Sequence, residues 1–333
     1  MIAAWQFWSI NDFASEYTGF ISSQKVLHSY KTNLHAAGLF KTYNKNKESN
    51  NIIEVEVSGM QRSGYMCNNS FLTKVDFDSE IVDENLYFEA SSMFANANLI
   101  SEKVKYLGGN SWYSAQLLLF LGPESPAFNM IGNTRSQDKL HTIEIPRRFS
   151  FGNGFLENLR TDSDVLFHEY GHYMVYKTLK DTSDGEVFAI HDGFADFIAY
   201  MMNGDNCLGE SLCENTNGCS VRTCLRTGNN EIHLRELPEF IAPGQHYKHS
   251  ELISGMLWDI HEESELSFDD GLFWIYNTIE YLEHSGNFDN MIKAIIESDI
   301  DLFQGENSCA IFNQASKRGF SVPSLESIAT NCR

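Results

Sequence analysis

The pentapeptide His168-Glu169-Tyr170-Gly171-His172 constrains this chain more than any other feature. It lies between Val165-Leu166-Phe167 and Met174-Val175, an apolar setting that predicts a buried helix. Asp162-Ser163-Asp164 supplies N-cap candidates, and the apolar-rich stretch runs on to Leu179. On a helix, positions i and i+4 share one face, so both imidazoles point the same way. Two neutral imidazoles so placed can grip one Zn2+ through bonds of ~2.0–2.1 Å. Glu169 then stands beside the metal, where it can take a proton from water. The plainer reading is an amphipathic helix with solvated His and Glu, but burying two His and a Glu needs a reason.

A catalytic zinc needs a third protein ligand and an open fourth position. The next predicted helix, Glu186 to Met202, ends at Asn203-Gly204 and offers one. Asp192 is the candidate third ligand, with His191 its rival. Asp196 follows one turn later on the same face. Its carboxylate could receive the N–H of a ligand His and fix that ring's tautomer.

Around these segments the periodicity changes along the chain. Residues 1 to about 110 read as β-rich, with Ile53-Glu54-Val55-Glu56-Val57 alternating as a half-buried strand does. Phe88 to Tyr106 has helical spacing and is expected to stop at Gly108-Gly109. Thr142-Ile143-Glu144-Ile145 reads as a strand that Pro146 ends. Further helices are predicted at Ser250–Glu262, Leu272–Glu283, Met291–Ile300 and Ser308–Arg318. Strands first and helices later imply an α+β fold in two lobes.

Charge and cysteine content narrow the setting. Lys plus Arg total 24 against 45 for Asp plus Glu, a net charge of −21, which excludes the basic footprint of a nucleic-acid binder. No apolar run reaches the ~18 residues of a membrane span. The first Lys is Lys25, so the apolar start at Met1 to Trp8 lacks the basic opening of a signal peptide. Of seven cysteines, Cys207, Cys213, Cys219 and Cys224 are spaced too widely for tight C-x2-C zinc pairs. Disulfides in an oxidising compartment are the better reading. Cys309 and Cys332 could close the C-terminus, leaving Cys67 over.

His168-Glu169-x-x-His172 followed by Asp192-Gly193-Phe194-Ala195-Asp196 resembles the thermolysin and fungalysin zinc metallopeptidases. There the second segment reads Glu-Gly-Trp-Ser-Asp or similar, and its Glu is the third ligand. Glu251 to Ile260 resembles the late helix of fungalysin-like enzymes, and Cys309 to Ala315 their last helix. Asn133 with Thr142-Ile143 resembles the edge strand whose Asn holds the substrate backbone. The resemblance spans residues 87 to 320 and is strongest at 164–200 and 249–260. Metzincins would need Gly and His where Val175 and Thr178 stand. The related two-lobed aminopeptidases carry a Gly-x-Met-Glu-Asn element, absent here.

This resemblance implies a two-lobed zincin: a β-rich N-terminal lobe, a mainly helical C-terminal lobe, and the active-site helix between them. Residues 1–36 resemble the tail of a prosegment, with a strand at Trp5–Trp8 and a hairpin turn at Thr18-Gly19-Phe20-Ile21. An ordinary N-terminal hairpin of the catalytic domain is the alternative. Residues 37–180 would form the N-terminal lobe through the active-site helix. Residues 181–333 would form the C-terminal lobe, with a Cys-rich insertion at 205–226. A precursor whose signal peptide lies upstream would account for disulfides in a chain without a visible signal.

Two positions depart from the family pattern. Asp192 is one methylene shorter than Glu, about 1.5 Å less reach, so its helix must sit closer or tilt. The family's transition-state histidine falls at Tyr247, flanked by His246 and His249. Any of the three could donate to a developing oxyanion, with His249 preferred, then His246, then Tyr247. The expectation is a secreted, monomeric zinc endopeptidase acting on proteins or peptides. Zn2+ would sit on His168, His172 and Asp192, with Glu169 as general base, Asn133 on the substrate and Asp196 behind a ligand His. Calcium is a second candidate cofactor, given the acidic balance and pairs such as Asp269-Asp270. The alternative is an inactive relative that binds peptide or metal. An exopeptidase would need a charged residue to capture a peptide terminus, and none is identifiable.

Overall fold

The computed structural model describes residues 4–11, 15–22, 25–32, 36–43, 52–60, 66–67, 71–74, 84–107, 117–121, 133–137, 140–151, 154–176, 178–179, 185–213, 224–239, 241, 246–282, 286–320 and 332. Three strands open the chain: β1 (Ala4–Asn11), β2 (Ser15–Ser22) and β3 (Lys25–Thr32), an antiparallel meander. Trp5–Trp8 lies in β1, a strand as the resemblance implies. Thr18–Ile21 is not a turn. It runs through β2, opposite Trp8–Trp5. Thr18, Phe20 and Ile21 are strand formers that outweigh a lone glycine. Gly19 instead precedes a register shift against β3, between Phe20 and Ile21, a common place for glycine.

Next come the hairpin strands β4 (Ala36–Tyr43) and β5 (Ile52–Met60), then β6 (Met66–Cys67) and β7 (Phe71–Lys74). The first helix, α1, is Glu84–Tyr106. It starts one turn earlier than its apolar spacing predicts, and buries Met93, Phe94, Ala97, Ile100 and Val104. Gly108 and Gly109 fall outside the described residues. Strands β8 (Leu117–Leu121), β9 (Asn133–Gln137) and β10 (Leu140–Ile145) complete a five-stranded sheet in the order β6-β7-β8-β10-β9. β8 lies parallel to both β7 and β10. Its unbroken Leu-Leu-Leu-Phe-Leu run suits a central strand, and Leu119 is buried. β9 is the antiparallel edge strand, and Asn133 pairs with Glu144 at its start. Pro146 follows β10, where its missing N–H costs no ladder bond. Arg160 clasps this sheet to α1: its Nε donates to the Ile145 carbonyl at 3.1 Å, and its Nη1 to Glu89 at 2.7 Å.

A small hairpin, β11 (Arg148–Phe151) with β12 (Gly154–Glu157), leads into the helical half. There α2 (Ser163–Val175), α3 (Gly185–Asn203) and the short α4 (Glu210–Cys213) are followed by α5 (Tyr247–Glu263), α6 (Phe268–Tyr281), α7 (Phe288–Phe303) and α8 (Ser308–Lys317). Between α3 and α5, β13 (Cys207–Leu208) pairs with β14 (Arg226–Thr227). Among the described residues, strands dominate the first half and helices the second, an α+β fold. One continuous apolar core joins α1, β8, β10, α2, α3 and α5 to α8.

Two disulfides fasten the helical half: Cys207–Cys224 and Cys309–Cys332. They span 17 and 23 residues, so each restricts the unfolded chain by about 3 kcal/mol. The remaining cysteine side chains lie outside the described residues. No described helix is long and apolar enough to cross a membrane.

Candidate active site

Three helices converge because two glycines let them. Gly171 on α2 meets the backbone of α3, where an added Cβ would lie 2.7 Å from Ala195 Cα. Gly193 on α3 meets α5, where an added Cβ would lie 2.7 Å from Ile253 Cβ. Side chains leaving α2, α3 and the start of α5 therefore meet over a short distance. The resemblance calls for a closer helix when Asp replaces Glu, and the Gly171–Ala195 contact provides close approach.

α2 begins at Asp162, whose carboxylate accepts from Asp164 N at 3.0 Å as an N-cap. One face then presents His168, Glu169 and His172, whose ligand atoms lie within 4.8 Å of one another. The two imidazoles stand edge to face, 4.6 Å between centroids. Opposite them, Asp192 Oδ1 lies 3.4 Å from His168 Nε2 and 3.2 Å from His172 Nε2. A tetrahedron with bonds of ~2.0–2.1 Å has edges of about 3.3–3.4 Å. Good N–H···O bonds cluster nearer ~2.9 Å. The two Asp–His distances therefore match edges of a zinc tetrahedron better than they match a pair of hydrogen bonds.

The tautomer of His168 fits too. Its Nδ1 donates to Asp196 Oδ1 at 2.8 Å, so the neutral ring that a metal requires would turn its Nε2 lone pair toward Asp192. Two His nitrogens and one carboxylate oxygen form a donor set of the kind catalytic zinc uses. The charges are mutually supporting. Burial opposes a charge on His168, yet the Asp192 and Asp196 carboxylates outweigh it and raise its pKa to about 9. Burial would also raise Asp192, but His168, His172 and His246 hold it well below the usual carboxylate range.

His191 is directed elsewhere. Its Nε2 donates to the Leu179 carbonyl at 2.9 Å, and burial together with nearby His172 lowers its pKa to about 3. It is a neutral core histidine beside Tyr176. The three residues at the start of α5 also separate. His246 Nε2 reaches Asp192 Oδ2 at 2.9 Å. Tyr247, 45% exposed, stands beside it with 4.4 Å between rings. His249, ranked first from sequence, turns the other way. Its Nε2 donates to the Pro238 carbonyl at 3.1 Å, its ring stacks on Phe288, and burial lowers its pKa. The reason is helical geometry: His249 lies three positions into α5, on the side facing the core, whereas His246 precedes the first turn. Asn133 heads edge strand β9, and its side chain lies outside the described residues.

Arg226 joins this cluster, and sequence reasoning missed it. Its Nη2 donates to Asp196 Oδ1 at 2.7 Å and lies 3.3 Å from His168 Nδ1. It is buried, and its local signal was slight: a single Arg two positions after Cys224. The stronger clue was electrostatic, since Glu169, Asp192 and Asp196 on buried helices call for a cation. Asp269 and Asp270, the pair named for calcium, occupy the first turn of α6. Asp269 pairs with Lys103, and Asp270 accepts from Ser267 Oγ at 2.6 Å.

No family model matches this chain, and no curated protein matches it at a significant level. Among solved structures it is similar to the precursor of protealysin, a metalloproteinase from Serratia proteamaculans. The TM-score is 0.58 at 10% identity, over 89% of this chain and 91% of that one. The likeness establishes a shared fold.

Proposed function

We propose that this chain is a secreted zinc-dependent endopeptidase of the thermolysin–fungalysin kind. One observation carries the reading: Asp192 Oδ1 stands 3.4 Å from His168 Nε2 and 3.2 Å from His172 Nε2, close to the edge length of a zinc tetrahedron, with Glu169 clustered beside the two imidazoles. The shared fold with a metalloproteinase precursor supports it.

His168, His172 and Asp192 would hold the ion. Bound there, Zn2+ supplies Lewis-acid polarisation of a carbonyl and of water. The chain's own residues do the rest. Asp196 keeps the His168 proton on Nδ1, and Arg226 balances the Asp196 charge. Glu169 takes a proton from the attacking water and returns it to the leaving amine. Tyr247 and His246 would be the candidate donors to the developing oxyanion. His249, bonded to Pro238, is left out of that role. Asn133 on edge strand β9 would hold the substrate backbone. The substrate would lie between a β-rich and a helical lobe, where clefts commonly form. Residues 1–36 would be the tail of a prosegment, and the two disulfides favour an extracellular setting.

The test is cleavage of casein by the purified mature chain beside Glu169→Gln. Loss of cleavage in the variant and in chelator-treated wild type supports the reading. A wild type that binds zinc, is freed of its prosegment and cleaves nothing would favour the non-catalytic relative.

A further inference from the structure

We propose that His246 is a positioning residue for Asp192, donating from Nε2 to Oδ2 so that Oδ1 stays aimed at His168 and His172. This rests on the zinc-peptidase reading above. The two oxygens of Asp192 face different partners. Oδ1 lies 3.2 and 3.4 Å from the paired imidazoles, and Oδ2 lies 2.9 Å from His246 Nε2. A carboxylate that ligates through one oxygen in a buried site needs a donor on the other. Oδ2 is buried, and the His246 ring nitrogen approaches it within hydrogen-bonding distance.

The seat for His246 is built into α3. Phe188 and Asp192 are i and i+4 on that helix, so they share a face. The Phe188 ring stacks on His246 at 5.1 Å and 22°. The carboxylate one turn later meets Nε2. Two points thus fix the imidazole: its face on Phe188 and its edge on Asp192. Tyr247 lies against it from the solvent side. His246 occupies the N-cap position of α5 but makes no capping bond, so its side chain is free for this use. A short Asp ligand gains most from such a clamp, because it lacks the reach that Glu would use to find its own geometry. Tyr247 is then the half-exposed group left to face substrate.

The test measures zinc affinity of the purified full chain by competition with a chromogenic chelator, at fixed pH, together with kcat at saturating zinc. His246→Ala is expected to weaken zinc binding roughly 10–100-fold. Saturating zinc should then restore most of kcat. His246→Gln, which keeps an N–H donor, should recover part of the affinity. It also serves as the second variant if the alanine substitution fails to fold, which thermal unfolding would show. Unchanged affinity with a fall in kcat at saturating zinc would overturn the proposal and make His246 the oxyanion donor. Affinity that depends on His246 in a chain that cleaves nothing would sink the peptidase reading and leave this one standing. A wild type that binds no zinc would overturn both.

Discussion

Gly171 and Ala195 meet backbone to backbone: a methyl group on Gly171 would fall 2.7 Å from Ala195 Cα. Nothing flexible lies in the way, so α2 and α3 would have to separate. His168 and His172 ride on one of these helices and Asp192 on the other. Gly171→Ala is therefore expected to cost about 1–3 kcal/mol of stability through overpacking. Zinc affinity should fall with it, because the 3.2 and 3.4 Å spacings would lengthen. Denaturant unfolding and chelator competition check the two effects. An unchanged zinc affinity would show that the spacing does not depend on this contact.

Arg226 and Asp196 form a buried ion pair at 2.7 Å. Removing one member leaves the other charged and uncompensated, which costs about 3–5 kcal/mol. Arg226→Met should show a loss of that order in chemical denaturation. Adding Asp196→Asn should return part of it, because the stranded charge is then gone. A double variant no more stable than Arg226→Met would mean that packing, not charge, is what the guanidinium supplies.

Local periodicity made the helix carrying His168, Glu169 and His172 legible, because i and i+4 spacing needs no tertiary knowledge. The same reasoning reached Asp192 and Asp196, one turn apart on α3. It ranked His249 above His246, whereas the structure turns His246 toward Asp192 and His249 toward Pro238. That difference depends on where α5 begins and on how Gly193 lets α5 settle against α3, neither of which is a local property. Arg226 was hidden for a similar reason: the bond to Asp196 spans a Cys-rich segment whose path no periodicity describes. Thr18–Ile21 failed differently: the resemblance to a prosegment implied a turn where three of the four residues are strand formers.

The Cys207–Cys224 bridge stands two residues before Arg226 and ties together the pair β13–β14 that carries it. Replacing both cysteines by serine should lower stability by about 3 kcal/mol from the 17-residue loop alone. It should also loosen Arg226, so the loss should be smaller in an Arg226→Met background than in wild type. A thermodynamic cycle over the four proteins measures that coupling, and strict additivity would separate the bridge from the active site.

His261 lies buried on α5 against the rings of Trp258 and Phe268, at 5.3 and 5.4 Å, with Phe197 of α3 packed edge-on. Burial lowers its pKa from 6.5, against a smaller opposing pull from Glu262. The folded state thus holds the ring neutral while the unfolded chain protonates it. For such a group, stability is fully present above pH 6.5 and is lost as pH falls from there toward the lower folded pKa. His191 and His249 are shifted in the same direction and add to the loss. His261→Phe keeps an aromatic ring in the stack and removes one titrating group. The variant should therefore lose less stability than wild type between pH 6.5 and pH 5, and differ from it by a constant amount above pH 7.5. Thermal unfolding of both proteins across that range gives the comparison. Parallel curves would mean that His261 is already solvated, or finds a partner, when it takes up its proton.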